Sequence, residues 1–260
     1  EHEYGQRVAN ELEAEIVRLG ADNVAAFIAE PVVGATRGCV PAVPGYLTRI
    51  QEICEKYGVL FIADEVMCGA GRTGKLFAIS EDAATPDIIT MSKGLGGGFQ
   101  PISALIASEK ITAALKRGSG RLENGHTYMG HATACAAALA VQQFIESNQL
   151  LENVIARGAE FQALLHDRFD QHPNFGDIRG RGLFVGVEFV DDKRTKQPLD
   201  RRLKTAERLK QSTFEAGLLC YPGSGTADGI CGDHVLFAPA FTVTSNDLAE
   251  IVDRFAIAIE

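Results

Sequence analysis

The stretch 59-VLFIADEV-66 decides how this chain folds: an unbroken apolar run of strand length ends in two carboxylates, Asp64 and Glu65. A strand apolar on both faces belongs inside a parallel sheet, because helices must cover both sides of it. Upstream, 45-GYLTRIQEICEKYG-58 places Tyr46, Ile50, Ile53, Cys54 and Tyr57 on one helical face. Before it lies 24-VAAFIAEP-31, a short strand closed by proline, and before that a helical pattern of Val8, Leu12, Ile16 and Leu19 ended by Gly20. Downstream, 87-DIITMSK-93 and 102-ISALIAS-108 read as strands, followed by helices over 109–117, 131–148 and 151–169. This alternation predicts an α/β fold with a parallel-rich sheet and helices on both faces.

The tail has another rhythm. It reads as one strand over 177-DIRGRGLFVGVEFV-190, a helix over 200–217, short strands near 218–221 and 234–238, and a closing helix over 246–259. Few strands with helices to one side predict a small α+β domain. The expected division is residues 1–160 for the larger domain and 161–260 for the smaller.

Composition narrows the function. The 260 residues are 46% hydrophobic and 23% charged, with a net charge of −9 and no Lys/Arg block. A general nucleic-acid face is therefore not expected. No apolar run approaches the roughly 20 residues a membrane span needs. Tryptophan is absent and aromatics are only 7%, which disfavours aromatic-cage and base-stacking roles. Cys39, Cys54, Cys68, Cys135, Cys220 and Cys231 form no CxxC pair and read as buried free thiols of a reducing compartment. The histidines show no metal-ligand spacing, so no metal is expected. The chain opens at Glu1 rather than Met and carries no signal-peptide pattern.

The stretch 69-GAGRTGKL-76 imitates two nucleotide loops. A P-loop needs Ser or Thr after its lysine to hold magnesium, and Leu76 stands there. A dinucleotide loop needs its first glycine at the strand end, where Asp64 and Glu65 would repel a pyrophosphate. Both readings fail on chemistry.

Asp64 and Lys93 fit better together. Each closes an apolar strand, at the end where open α/β sheets bind ligands. A carboxylate after VLFIA needs a cationic partner. Lys93 opens 93-KGLGGG-98, whose glycines let backbone approach something bulky. Taken alone, Lys93 is a surface lysine and Asp64 a helix cap or ion-pair member. Taken together they match a cationic heterocycle: the lysine supplies an imine and the aspartate a counter-charge. Pyridoxal phosphate has these needs, a Schiff-base lysine and an acid at the pyridine nitrogen. Val66, two residues past Asp64 on the same side of an extended chain, is placed to pack on the ring.

The segments 30-EPVVG-34, 64-DEVMCGAGRTG-74, 92-SKGLGGG-98, 125-GHTYMGHATACAAALA-140, 180-GRGLFVGVEF-189 and 234-HVLFAPAFTVT-244 carry a specific resemblance. Together they span nearly the whole chain. The sequence resembles the class III (ornithine/ω-amino acid type) aminotransferases of fold-type I, and is similar to their C-terminal portion. The resemblance implies Lys93 as the Schiff-base lysine, Asp64 as the pyridinium partner and Val66 as the residue on the ring. It places Met67 near the ring hydroxyl and Thr127 on the cofactor phosphate of a neighbouring subunit, within a homodimer of shared active sites. It also implies a small-molecule amino donor, an oxo-acid acceptor and a cytoplasmic protein, unless a targeting segment precedes Glu1.

The departures bear on substrate. Many relatives carry arginine before their final APP motif, to hold a substrate carboxylate. Here Leu236 stands there and the motif reads 238-APA-240. Glu30 matches an acid near the family's substrate pocket, and Arg179 and Arg181 are either carboxylate ligands or solvated arginines. The implied reaction is ping-pong transamination, with an ω-amino acid or amine as donor and an acceptor such as pyruvate. Two other readings stay open: a truncated remnant that cannot hold the cofactor alone, and a racemase, decarboxylase or aminomutase built on the same cofactor residues.

Overall fold

A computed structural model describes residues 1–260, which divide into two compact units. The first comprises Glu1–Pro31, Ala42–Gly71 and Lys75–Asn148, and the second Val32–Pro41, Arg72–Gly74 and Gln149–Glu260.

The chain opens with α1 (His2–Leu19) and β1 (Ala26–Ala29). Gly20 ends the helix in left-handed backbone, φ 84°, its N–H bonded to the Ile16 carbonyl. A hairpin of two-residue strands, β2 (Val32–Val33) and β3 (Val40–Pro41), belongs to the second unit. Then come α2 (Tyr46–Tyr57), β4 (Leu60–Asp64), β5 (Ile88–Met91), β6 (Ala104–Ala107), α3 (Glu109–Arg117) and α4 (Ala132–Ser147).

The first unit's sheet runs β1-β4-β5-β6. β4 pairs parallel with β1 and β5, whereas β6 turns back antiparallel on β5. The parallel-rich α/β fold expected from 59-VLFIADEV-66 is present. Its core joins α1, α2 and β4 through Ile16, Leu47, Ile50, Ile53 and Phe61, each fully buried. Each such side chain contributes about 1.5–3 kcal/mol. Elsewhere apolar groups face outward: Ile28 on β1, Leu105 and Ile106 on β6, and Leu139 and Phe144 on α4.

The second unit continues with α5 (Leu150–Phe169), β7 (Phe175–Arg181), β8 (Phe184–Asp192), β9 (Gln197–Pro198), α6 (Thr205–Glu215), β10 (Tyr221–Ser224), β11 (Asp233–Phe237) and α7 (Ser245–Ile259). Its sheet, β10-β11-β8-β7 with β9 on β8, is antiparallel throughout. Phe161, Leu183, Val187, Val235, Leu248 and Phe255 form its core. Phe255 meets Phe169 and Phe237 edge to face, at 5.5 and 5.0 Å, a favourable aromatic geometry. α7 starts in a capping box between Thr244 and Asp247.

Several elements differ from expectation: β2, β3 and β9 are strands that the hydrophobic pattern does not announce. The single strand read over 177–190 is a hairpin of β7 and β8. Gly182, at φ 55°, supplies the left-handed turn. The polar stretch 179-RGR-181 gives way to the apolar 183-LFV-185 at this turn.

Candidate active site

The site begins at the carboxyl edge of the first unit's sheet. Register places Asp64 opposite Thr90, and the Glu65 N–H extends that pairing to the Thr90 carbonyl at 2.9 Å. Lys93 leaves β5 just beyond, so Asp64 and Lys93 emerge from neighbouring parallel strands at one end. Ala29 of β1 pairs with Ala63, so Glu30 leaves its strand at the same level as Asp64.

The Asp64 carboxylate is half-buried. Its Oδ1 accepts the Val66 N–H at 3.0 Å and the Thr90 hydroxyl at 3.4 Å. Both donors are neutral, so the carboxylate's charge is left to be balanced by something else. Val66 differs from its expected setting: the strand stops at Asp64, and Val66 opens a turn instead of continuing an extended chain. Turn bonds impose this, with the Gly69 N–H on the Glu65 carbonyl at 3.0 Å and the Cys68 thiol directed at the Asp64 carbonyl at 3.7 Å. Met67 lies half-buried within the turn.

Glu65 points away from water, only 1% exposed. Its two carboxylate oxygens accept the N–H groups of Ala78 and Ile79, each at 2.8 Å. Burial pushes the carboxyl above the usual carboxylate range, and the two amides offset part of that shift.

Lys93 is exposed and its backbone is left-handed at φ 44°, a strained state for a residue with a side chain. Neighbouring bonds hold it there. Ser92 Oγ donates to the Ile102 carbonyl at 2.8 Å, and the Leu95 N–H closes onto the Ser92 carbonyl at 2.9 Å. Gln142 of α4 donates Nε2 to the Leu95 carbonyl at 3.2 Å.

Asp64, Val66, Met67 and Lys93 thus share one sheet edge. Thr127 is not joined to it: it sits on the exposed 118–131 segment between α3 and α4. The sequence reading missed Ser92, Thr90 and Gln142 as supports of this edge. A polar residue beside a candidate nucleophile is too common to single out, and pairing register is not written in one strand.

The nucleotide readings of 69-GAGRTGKL-76 fail on structure as well. Lys75 opens no α-helix, and only a short 3-10 turn, Ala78–Glu81, follows. Within the second unit Arg72 donates to the carbonyls of Leu183 and Pro239, at 3.1 and 2.6 Å, with its guanidinium 4.5 Å from the centre of the Phe241 ring. Burial lowers its pKa to about 10. Arg179 is not a solvated arginine: it pairs with Asp177 and Glu188 and donates to the Gly38 and Arg37 carbonyls. Leu236 is a buried β11 residue opposite Gly186. Among the cysteines, Cys39, Cys54 and Cys68 are buried, whereas Cys135 is exposed on α4, against expectation. No helix is long and apolar enough to cross a membrane.

The model of the aminotransferase class-III family matches residues 1–259. This chain belongs to the class-III aminotransferases. An aminotransferase of Gibberella zeae is 45% identical over 258 residues, covering 99% of this chain and 50% of that protein. An (S)-enantioselective ω-transaminase from Thermomicrobium roseum superposes with a TM-score of 0.90 at 34% identity, over 99% of this chain and 55% of its own. An amine transaminase of an uncultivated Pseudomonas species, solved in its PLP-bound form, gives a TM-score of 0.90 at 33% identity, over 99% and 57%. This class-III member therefore spans about half the length of the relatives it matches.

Proposed function

We propose that this chain carries the lysine and the cofactor-orienting acid of a pyridoxal phosphate-dependent aminotransferase. One observation carries the reading: Asp64 and Lys93 leave adjacent parallel strands at the same edge, linked through Thr90. The residues fit the cofactor, because Asp64's own donors are both neutral and a protonated ring nitrogen would complete its charge. The PLP-bound form of the Pseudomonas amine transaminase supports the same group here.

Bound pyridoxal phosphate supplies an aldehyde that condenses with amines and a cationic ring that withdraws electrons from the attached carbon. Lys93 Nζ would hold the cofactor through that aldehyde, and once freed it would carry the substrate's Cα proton to the cofactor carbon, the shift that amino transfer needs. Asp64 would keep the proton on the ring nitrogen, and Val66 would pack on the ring. Met67 stands near the ring hydroxyl. Thr127, on its exposed segment, reaches the phosphate of a second copy in a homodimer. An amino donor gives up its amino group in one half-reaction and an oxo acid receives it in the other. An ω-amino acid or amine is the favoured donor and pyruvate an example of the acceptor. Two points support this: Leu236 stands where the family resemblance implies a carboxylate-binding arginine, and the Thermomicrobium neighbour is an ω-transaminase. A cytoplasmic setting is part of the same proposal.

The test is borohydride trapping of the chain with pyridoxal phosphate, followed by peptide mapping. Label confined to Lys93, absent in Lys93→Ala, is expected. Label spread over surface lysines, or turnover that survives Lys93→Ala, would refute the assignment.

A further inference from the structure

The chemistry above gives Glu65 no task, yet its placement is the most constrained at the sheet edge. Its N–H is bonded to the Thr90 carbonyl at 2.9 Å, its carbonyl to the Gly69 N–H at 3.0 Å, and its carboxylate oxygens to Ala78 and Ile79 at 2.8 Å each. A carboxylate taken out of water without a cation is costly, and two amide donors offset that cost only in a fixed geometry. The fit is close on its other side too. A Cβ at Gly69 would lie 2.6 Å from the Glu65 carbonyl oxygen and 2.8 Å from Oε2. The bond from the Val66 N–H to Asp64 Oδ1, 3.0 Å, spans Glu65 itself. The backbone angles of Glu65 therefore set where the Val66 N–H points, and with it how the Asp64 carboxylate is held.

The geometry points to Glu65 as a positioning residue: by clamping the amides of Ala78 and Ile79 it fixes the 64–66 turn and so the direction of the Asp64 carboxylate. The functional half of this inference rests on Asp64 being the ring-nitrogen partner, whereas the clamp itself does not.

Amide hydrogen exchange on the full chain without cofactor tests the clamp. Glu65→Gln keeps the size but sets an NH2 group against one of the two amides. Exchange at Val66 is expected to rise at least tenfold, together with Ala78 and Ile79, while Val187 and Val235 in the second unit keep their rates. Gly69→Ala crowds the same residue at its carbonyl oxygen and at Oε2, with its charge intact. It is expected to give the same pattern, which keeps the test available if Glu65→Gln does not fold. Faster exchange at Ala78 and Ile79 with Val66 unchanged would overturn the proposal, because the clamp would then serve the loop alone. Faster exchange throughout the chain in both variants would overturn it as well, making Glu65 only a core residue. Pyridoxal phosphate affinity, read by absorbance, separates the two halves. A tenfold weaker affinity is expected in Glu65→Gln and in Asp64→Asn. Indifference to Asp64→Asn would sink the assignment of Asp64 and the functional half with it. Sensitivity to Asp64→Asn alone would sink the positioning role.

Discussion

Asp64 Oδ1 accepts the backbone N–H of Val66 at 3.0 Å. A carboxylate and an apolar side chain two residues apart are thereby locked into one turn. The carboxylate cannot rotate far without releasing the Val66 backbone N–H. The same bond occupies Oδ1 and leaves Oδ2 without a hydrogen bond, as the proposed pairing with a ring cation requires.

That division of labour predicts the behaviour of Asp64→Asn. The amide oxygen of Asn can still accept the Val66 N–H, so thermal unfolding is expected to be unchanged. The lost charge is expected to lower turnover by roughly 10²–10³, the scale of removing one preorganised electrostatic contact. Paired melting curves and steady-state rates decide it. A near-normal rate would place the ring nitrogen elsewhere.

Thr127→Ala addresses the opposite case, an exposed residue without structural ties. Stability is expected to stay within about 0.5 kcal/mol of the parent, as for most surface changes. Cofactor dissociation is expected to accelerate more than the chemical step slows. Unaltered cofactor retention would mean the phosphate is held by other groups.

Gly158→Ala tests the packing of α5 on the β7–β8 hairpin. A Cβ at position 158 would run into the Gly182 backbone, carbonyl included. Backbone yields less than a side-chain tip, so the variant is expected to lose about 1–3 kcal/mol. Urea unfolding monitored in the second unit measures it. Full retention of stability would show that α5 slides without cost.

His234 makes the second unit sensitive to acid. The ring is fully buried, with Nδ1 2.6 Å from Thr226 Oγ1. Burial depresses its pKa and the Arg179 guanidinium depresses it further, against smaller opposing effects of the Ala35 backbone and Glu188. The folded state therefore binds fewer protons than the unfolded state just below the ordinary imidazole pKa of about 6.5. The contribution of His234 is expected in full above that pH and to be lost as pH falls through the depressed folded value. The stability difference between the parent and His234→Gln, followed across pH 5 to 8, is the readout. A difference independent of pH would exclude the titration.

Local pattern reached far in this protein. The helical spacing of Val8, Leu12, Ile16 and Leu19, and of Tyr46, Ile50, Ile53 and Tyr57, marked helices because burial requires one apolar face. Gly20 marked a helix end because it alone enters left-handed backbone cheaply. The clean breaks of apolar runs at Asp64 and Lys93 marked the edge where chemistry gathers. The switch from 179-RGR-181 to 183-LFV-185 marks Gly182 as a turn only once β7 and β8 are seen to pair, because glycine also occurs within strands.

What the sequence by itself determined is the α/β class, the main helices and central strands, and the pair of charged residues at strand ends, since these follow from side-chain periodicity and from the cost of burying charge. Only the tertiary structure decided that β6 runs antiparallel, that Thr90 stands opposite Asp64 and that Glu65 clamps amides thirteen and fourteen residues away. It also decided that Arg179 is consumed by Glu188 and two carbonyls instead of awaiting a substrate. Register, strand direction and the partners of buried polar groups depend on which segments meet across the fold. That meeting is settled by packing the whole chain, and no local stretch of sequence contains it.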